Sequence, residues 1–294
     1  MNKKEQQYQH LTQSLSYYGS EERFSIDWIQ KKLKVGFPWA KQFHERLVEE
    51  AWIDRENHKI DGSFPYGICL NELKRTKRYC GKSFAYPLPL GATPTGERRN
   101  YALSEIGSLL LLADDGAGKM NALRVLIASL VIGGSLRKPD FLFIDTKRVQ
   151  LAPYEKLVSL KAPTIKEPAE ANALLQKLLE DKNLRKTPLI VIINETSDLL
   201  EASNQFSGLC QKLAREGQNK NIYLIAATQR NDPNLYSPEF QKAFTSKMEF
   251  HYGGKEAKLS RQNEKEEELI VPTLSENECL ATLKALKEKR EKKS

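Results

Sequence analysis

Residues 109–120 read LLLLADDGAGKM, so an apolar run leads into a turn that could hold phosphate groups. Gly116, Gly118 and Lys119 lie in this turn, and the apolar stretch NALRVLIASLV follows at once. A strand, a glycine-containing loop and a helix in this order are typical of a P-loop, in which backbone N–H groups and a lysine bind nucleotide phosphates. The sequence therefore predicts a nucleotide site with Gly116, Gly118 and Lys119 as ligand-binding residues.

Two residues of this segment depart from the working pattern G-x-x-x-x-G-K-[ST], and two acidic residues lie within the loop. Ala113 stands where the first glycine belongs, and Met120 stands where a hydroxyl should bind Mg²⁺. A thioether is a poor ligand for a hard cation that prefers oxygen. Asp114 and Asp115 would repel a triphosphate unless their side chains point to solvent. We therefore expect ATP binding to be weak and Mg²⁺ binding to be impaired.

Composition places the chain among soluble globular proteins of one large or two smaller domains, since 40% of its 294 residues are hydrophobic and 29% are charged. No apolar run approaches the roughly 20 residues that cross a bilayer, and the N-terminus MNKKEQQYQH does not resemble a signal peptide. We expect a cytoplasmic protein. Its four cysteines lack metal-site spacing, so we predict unpaired thiols and no metal site.

The net charge of +8 is concentrated in two segments. Residues 71–82 carry five basic and one acidic side chain, and residues 284–294 carry six basic and two acidic ones. Basic segments of this kind commonly bind phosphate backbones without reading sequence, although a solvated linker and a frayed helix end would have the same composition. The candidate DNA-binding residues of the first segment are Lys74, Arg75, Lys77 and Arg78.

The first 68 residues predict a small helical domain. Ser25 precedes IDWIQKKLKV, and Gly36 separates that stretch from FPWAKQFHERLVEEAWID, whose apolar residues recur at helical spacing. Two short amphipathic helices joined by a tight turn form a helix-turn-helix, and residues 53–68 could form a wing. Lys41, Gln42 and Arg46 lie on the second helix and are candidate DNA contacts.

Apolar strands alternate with helical stretches from about residue 86, which predicts an α/β fold with a buried, mostly parallel sheet. The predicted strands are residues 108–113, 140–145, 189–194, 222–227 and 247–251. Ligands bind at the carboxyl ends of such strands, and polar residues gather there in this sequence. They are Lys119, Asp145, Lys147, Asn194, Glu195, Thr228, Gln229 and Arg230.

Several motifs in order resemble those of the FtsK/SpoIIIE DNA translocases. FSIDWIQKKLKVGFPWAKQFHERLVEEAWID is similar to their winged-helix gamma domain, with Pro38 and Trp39 in place of a base-reading pair. PLPLGATPTGE, FIDTKRVQLAPYEKL and LAREGQNKNIYLIAATQR are similar to segments of their RecA-like motor core. The resemblance implies a RecA-like P-loop core that acts on double-stranded DNA, with nonspecific duplex contact retained and sequence-specific reading in doubt.

The resemblance also implies roles for single residues of the core. Lys119 would pair with the nucleotide phosphates, while Met120 and Asn194 occupy positions where the family has Mg²⁺-binding hydroxyl and aspartate groups. Glu195 would keep the carboxylate that activates water. The remaining family roles are a polar sensor at Thr228 and Gln229 and an arginine acting in trans at Arg215.

The domain order differs from that of the translocases, because the winged helix precedes the core. We expect a winged-helix domain at 1–68, a basic linker at 69–87, a core at 88–260 and a charged C-terminal tail at 261–294, in place of the family's glycine-rich strand and hairpin.

These features favour a pseudo-ATPase that binds duplex DNA and serves as an assembly or partner platform, for example in plasmid, phage or mobile-element maintenance. Its partners would be DNA and either further copies of itself or an active FtsK-type protein. A slow but active translocase and a winged-helix transcriptional regulator are the alternatives.

Overall fold

The computed structural model contains one helical segment near the N-terminus and one large α/β core. It describes residues 4, 6–8, 11, 23–49, 53, 86–94, 98–114, 118–133, 138–147, 149–228, 232, 235–250, 256–272, 274–277, 279–280 and 283–284.

The N-terminal segment contains the two expected helices, α1 (Ile26–Leu33) and α2 (Phe37–Glu49). Ser25 caps α1, since its hydroxyl oxygen accepts a hydrogen bond from the Trp28 N–H, and Lys34 ends the helix in the left-handed conformation. Buried apolar side chains from both helices form a small core of their own. The two predicted helices are therefore present, whereas most of the expected wing at 53–68 lies outside the described residues.

The larger part of the chain forms a nine-stranded sheet in the order β2-β1-β9-β8-β7-β3-β6-β5-β4. The strands are β1 (Pro87–Ala92), β2 (Arg98–Ala102), β3 (Leu109–Ala113), β4 (Asp140–Asp145), β5 (Leu189–Asn194), β6 (Ile222–Thr228), β7 (Ser246–Phe250), β8 (Glu256–Arg261) and β9 (Glu267–Ile270). The helices of the core are α3 (Leu103–Ile106), α4 (Lys119–Gly133), α5 (Pro168–Glu180), α6 (Thr196–Ala202), α7 (Asn204–Glu216) and α8 (Pro238–Lys242).

The five predicted strands form the parallel half of this sheet, β7-β3-β6-β5-β4. Both faces of this half are covered, which explains why the strands read as continuous apolar runs. In β3, Leu109 and Leu111 pack on the side of α4, while Leu110 and Leu112 pack on the side of α5 and α7. The expected α/β fold is confirmed.

The other half of the sheet is antiparallel and was not expected from the sequence. β8 and β9 form a hairpin on the edge of β7, and β1 joins β9 to β2. The sheet is therefore mixed, with equal numbers of parallel and antiparallel pairings among the described strands.

The core continues past residue 260, so the prediction of a charged tail over 261–294 is wrong for the described part of that range. β9 pairs with β8, and Leu274, Cys279 and Leu283 are buried in the same apolar cluster as α4. Apolar side chains spaced among charged residues are enough to fix this segment against the core. Within the described residues, no helix is long and apolar enough to cross a membrane.

Candidate functional site

The site is formed where four parallel strands end side by side. Asp145 of β4 lies opposite Asn194 of β5, Asn194 lies opposite Ala227 of β6, and Thr228 lies opposite Leu112 of β3. The carboxyl ends of parallel strands meet at one edge of a sheet, so the register alone gathers polar residues from distant parts of the sequence.

Lys119 begins α4, directly after Gly118, whose φ of 89° suits a glycine. The lysine side chain is only 3% exposed, and its Nζ atom donates a hydrogen bond to Glu195 Oε1. A buried ammonium group needs a charged partner to offset its desolvation. Glu195 supplies that partner. In a working P-loop the lysine contacts phosphate oxygens of the nucleotide, so the Glu195 carboxylate takes their place here.

Glu195 connects β5 to α6 in the left-handed conformation, with φ 59° and ψ 59°. This backbone geometry is uncommon for a residue with a side chain and is often found at functional sites. The Glu195 carboxylate is 1% exposed, and its second oxygen lies 3.8 Å from the Nζ atom of the half-exposed Lys147. One buried carboxylate therefore faces two lysines.

Asn194 takes part in a buried polar network in which its amide is the donor. Its Nδ2 atom donates to Asp145 Oδ1 and to Gln150 Oε1, each at 3.0 Å. Asp145 Oδ2 accepts from the Leu151 N–H at 3.0 Å. Asn194 Oδ1 is buried and has no hydrogen-bond partner among the described residues. Asp145 carries the only carboxylate of this network.

Met120 packs against the apolar cluster beneath α4. Its thioether therefore contributes to the core, in agreement with its poor suitability as a metal ligand. Asp114 is exposed to solvent, so its carboxylate is not buried in the loop. Asp115 and Gly116 lie outside the described residues.

Thr228 ends β6 and is fully buried beside α6. Its hydroxyl donates to Ser197 Oγ at 3.4 Å, and burial raises the pKa of the neighbouring Tyr236 hydroxyl well above its usual range. This threonine therefore belongs to a buried hydroxyl cluster at the edge of the site. Gln229, the other expected sensor residue, lies outside the described residues.

Arg215 is not brought to the site. It is exposed near the end of α7, and the neighbouring Ala214 carbonyl accepts a hydrogen bond from Ser108 Oγ at 3.0 Å. Ser108 precedes β3, whereas the phosphate-binding loop follows β3, so this end of α7 lies at the opposite end of that strand from the loop. At about 3.3 Å per strand residue, the two ends of β3 are roughly 16 Å apart. Arg215 therefore does not reach the nucleotide site of its own chain.

The expected DNA contacts fall into two groups. Lys74, Arg75, Lys77 and Arg78 lie outside the described residues. On α2, Lys41 and Gln42 are exposed, whereas Arg46 stacks its guanidinium over the Tyr8 ring at 3.8 Å. Arg46 thus takes part in the packing of the helical segment.

Two contacts of the site were missed by sequence reasoning. Gln150 reaches Asn194 from the loop after β4, and Asn121 on α4 hydrogen-bonds the backbone of the C-terminal segment at Pro272 and Leu274. Neither residue has a sequence signal beyond its nearness to a motif. Both depend on loops whose course cannot be read from periodicity.

The residues present fit the phosphate groups of a nucleotide better than they fit Mg²⁺. Lys119 lies at the N-terminus of a long helix, where backbone N–H groups and the helix dipole favour anions. Both oxygens of the Asp145 carboxylate already accept hydrogen bonds, Asn194 is neutral, and the partly buried Met120 packs against the core. The donor set does not fit a hard divalent cation.

Comparison with known proteins gives consistent matches to one group. The model of the FtsK/SpoIIIE family matches residues 82–187. The chain is 25% identical over 196 residues to the DNA translocase FtsK of Streptococcus pyogenes serotype M6, covering 55% of this chain and 24% of that protein. It is 27% identical over 233 residues to the DNA translocase FtsK of Chlorobaculum tepidum, covering 67% of this chain and 29% of that protein. The chain thus spans about a quarter of the length of these relatives.

Solved structures give the same fold at lower sequence identity. The pCW3 conjugation coupling protein TcpA in its monomer form, with ATPγS, aligns with a TM-score of 0.58 at 15% identity, covering 71% of this chain and 72% of that chain. The cytoplasmic domain of the Thermomonospora curvata type VII secretion ATPase EccC aligns with a TM-score of 0.55 at 16% identity, covering 67% and 31%. The α/β core therefore has a RecA-like P-loop fold.

Proposed function

From its similarity to the FtsK/SpoIIIE family over residues 82–187, we propose that the chain is a DNA-binding pseudo-ATPase that serves as an assembly or partner platform. The observation that carries this proposal is the environment of Asn194. Its neutral amide donates two hydrogen bonds where a metal-binding carboxylate is expected. Met120, at the other expected metal-binding position, is partly buried and packs against the core. Two separate changes thus remove the protein's contributions to Mg²⁺, which phosphoryl transfer depends on.

The ion pair of Lys119 and Glu195 supports the same proposal. The lysine is held by a buried carboxylate, so phosphate binding has to separate two charges that stabilise each other. Lys147 offers Glu195 a second cation and would lower the cost of that exchange. We infer that the site binds nucleotide weakly and independently of Mg²⁺, and that the bound nucleotide is not hydrolysed.

DNA binding is proposed from the family and from the charge of the chain. The relatives matched are DNA translocases. Segments 71–82 and 284–294 together carry a net charge equal to the +8 of the whole chain. The proposed organisation is a winged-helix domain at 1–68, a basic linker at 69–87 and the P-loop core. The core ends beyond β9. The location proposed for the protein is the cytoplasm.

The exposed position of Arg215 supports assembly into an oligomer. An arginine at the far edge of its own sheet could face the loop of a neighbouring copy or of an active FtsK-type protein. Such an arrangement would let this chain influence a partner's site while its own site stays inactive. A plasmid, phage or mobile element is the proposed setting.

One observation favours a slow but active ATPase as the second candidate. Asp145 places a buried carboxylate next to Asn194, and Glu195 and Lys119 are both retained. Rearrangement of the Asn194 amide would release Asp145 Oδ1 for another partner. The two candidates differ in whether Mg²⁺ strengthens nucleotide binding.

A nucleotide titration with and without Mg²⁺ tests the proposal, using a fluorescent ATP analogue. We expect the two affinities to agree within about twofold, and binding to disappear in Lys119→Met combined with Glu195→Gln, which removes both charges of the buried pair. Lys161→Ala is the matched control, because Lys161 pairs with Asp140 at the opposite end of β4. Tightening by Mg²⁺ of about tenfold, or about 1.4 kcal/mol, would support the active ATPase instead.

A further inference from the structure

The turn between α1 and α2 is strongly basic. Residues 28–44 contain no acidic side chain, and the stretch KKLKVGFPWAK within them contains four lysines. All four lysines, Lys31, Lys32, Lys34 and Lys41, are exposed. A surface of this charge attracts a polyanion.

Two aromatic side chains are exposed in the middle of these lysines. Phe37 is 55% exposed and Trp39 is 40% exposed, and they are the only exposed large aromatic residues among those that the structure describes. Further along α2, Ala40, Phe43 and Leu47 fill the small core. Phe37 and Trp39 therefore contribute much less to the packing of this helical segment than the buried residues do. An exposed pair of large aromatic side chains suggests a binding surface.

The Trp39 ring is held in place although it is exposed. Its edge meets the Phe43 ring at a centroid distance of 6.5 Å, and the ammonium group of Lys4 lies 5.4 Å from its centroid. Pro38 fixes the backbone between the two aromatic residues in the first turn of the helix. A stacking surface benefits from this order, because little conformational entropy is lost when a ligand binds.

We propose that Phe37 and Trp39 stack against unpaired bases of DNA while the surrounding lysines bind the phosphates. Aromatic side chains interleaved with basic ones are typical of surfaces that bind single strands, since every base has a face that can stack. Phe37 has no hydrogen-bonding group and Trp39 has a single N–H donor, so neither can make the paired hydrogen bonds that read the edge of a base pair. An apolar groove on a protein partner would fit the two rings but would not account for the four exposed lysines around them, of which Lys41 also lies 3.9 Å from Glu45.

This inference rests on the proposed DNA binding and extends it to DNA that is single-stranded or locally unpaired. The helix-turn-helix would then hold a strand end, a bubble or a junction, whereas the basic segments hold the adjoining duplex. Base stacking on each aromatic residue should raise affinity by about fivefold or more.

Fluorescence anisotropy with labelled oligo-dT of 20 nucleotides and with a hairpin duplex tests this proposal at one fixed salt concentration. We expect Trp39→Ala and Phe37→Ala to weaken oligo-dT binding about fivefold or more each and duplex binding less than twofold. Leu184→Ala is the matched control, because Leu184 is 72% exposed but lies on the core. Lys34→Ala should weaken binding to both DNAs.

Tryptophan fluorescence gives a second readout that does not depend on affinity. Oligo-dT should quench the emission of the wild-type protein, and Trp39→Phe should remove most of that quenching while keeping a ring that can stack. Equal effects of Trp39→Ala on both DNAs, or none on either, would overturn the stacking proposal and point to a protein partner at this surface. Absence of binding to both DNAs would instead overturn the proposed DNA-binding function itself.

Discussion

Asn194→Asp is expected to destabilise the protein, because it places a second carboxylate next to that of Asp145 inside the core. The two residues are fully buried, and the Asn194 Nδ2 and Asp145 Oδ1 atoms are 3.0 Å apart. At that separation and an effective dielectric constant of about 20, two negative charges repel each other by about 5 kcal/mol. The variant also loses the hydrogen bond from Nδ2 to Gln150 Oε1.

Uptake of one proton limits this cost. At pH 7, protonating a carboxyl group with an ordinary pKa of about 4 costs about 4 kcal/mol, and the shared proton then restores one hydrogen bond. We therefore expect a loss of about 2 to 4 kcal/mol in the free energy of unfolding at pH 7.

The pH dependence has a definite sign. The folded variant holds one more proton than the unfolded chain at pH values above the ordinary carboxyl range. Its free energy of unfolding, relative to the wild type, should therefore fall by about 1.4 kcal/mol per pH unit as the pH rises from 5 towards 7. Urea unfolding at both pH values measures this difference.

Two further variants make the test specific. Asn219→Asp makes the same chemical change at an exposed position and should alter stability by less than about 0.5 kcal/mol. Combining Asn194→Asp with Asp145→Asn restores one carboxylate and one amide, so it should recover most of the loss. If Asn194→Asp is no less stable than Asn219→Asp at pH 7, or if the swap recovers nothing, the buried network is not arranged as described.

Met120→Thr combined with Asn194→Asp should restore Mg²⁺-dependent nucleotide binding, because the two positions then offer Mg²⁺ a hydroxyl and a negatively charged carboxylate; a titration that shows no gain would indicate that the loop around Asp114 prevents binding. Duplex DNA binding should show a slope of about −5 to −7 in log affinity against log salt concentration if six to eight phosphates are neutralised. Deletion of residues 284–294 should make this slope less steep. A slope near zero would contradict the charge argument. Burial raises the pKa of the Cys279 thiol to about 11, so alkylation of Cys279 at pH 8, followed by mass spectrometry, should be slow until the protein is unfolded. Rapid alkylation of the native protein would contradict the packing of the C-terminal segment.

The parallel half of the sheet could be predicted because its strands are buried on both faces. LIVIIN of β5 and LLLLA of β3 are continuous apolar runs of six and five residues, and this short length favours a buried strand over a helix. The antiparallel half could not be predicted in the same way. EELI of β9 is short and half polar, and its assignment depends on pairing with β8.

The gathering of the site residues could also be predicted, whereas their pairing could not. Lys119, Asp145 and Glu195 follow strands whose carboxyl ends must meet at one edge. The hydrogen-bond partner of each polar side chain depends on side-chain positions at the scale of a few ångströms, which the sequence does not give. The hydrogen bond from the Asn194 amide to Gln150 is one example. The place of Arg215 depends on the direction in which α7 crosses the sheet.

Hydrolysis of ATP in the presence of duplex DNA and Mg²⁺ tests the central claim most directly. If, as we propose, Met120 and Asn194 deprive the site of its protein ligands for Mg²⁺, turnover should not exceed the background of the Glu195→Gln variant. Turnover of roughly 1 per second or more, stimulated by DNA and abolished by Glu195→Gln, would contradict the account and identify the protein as an active ATPase.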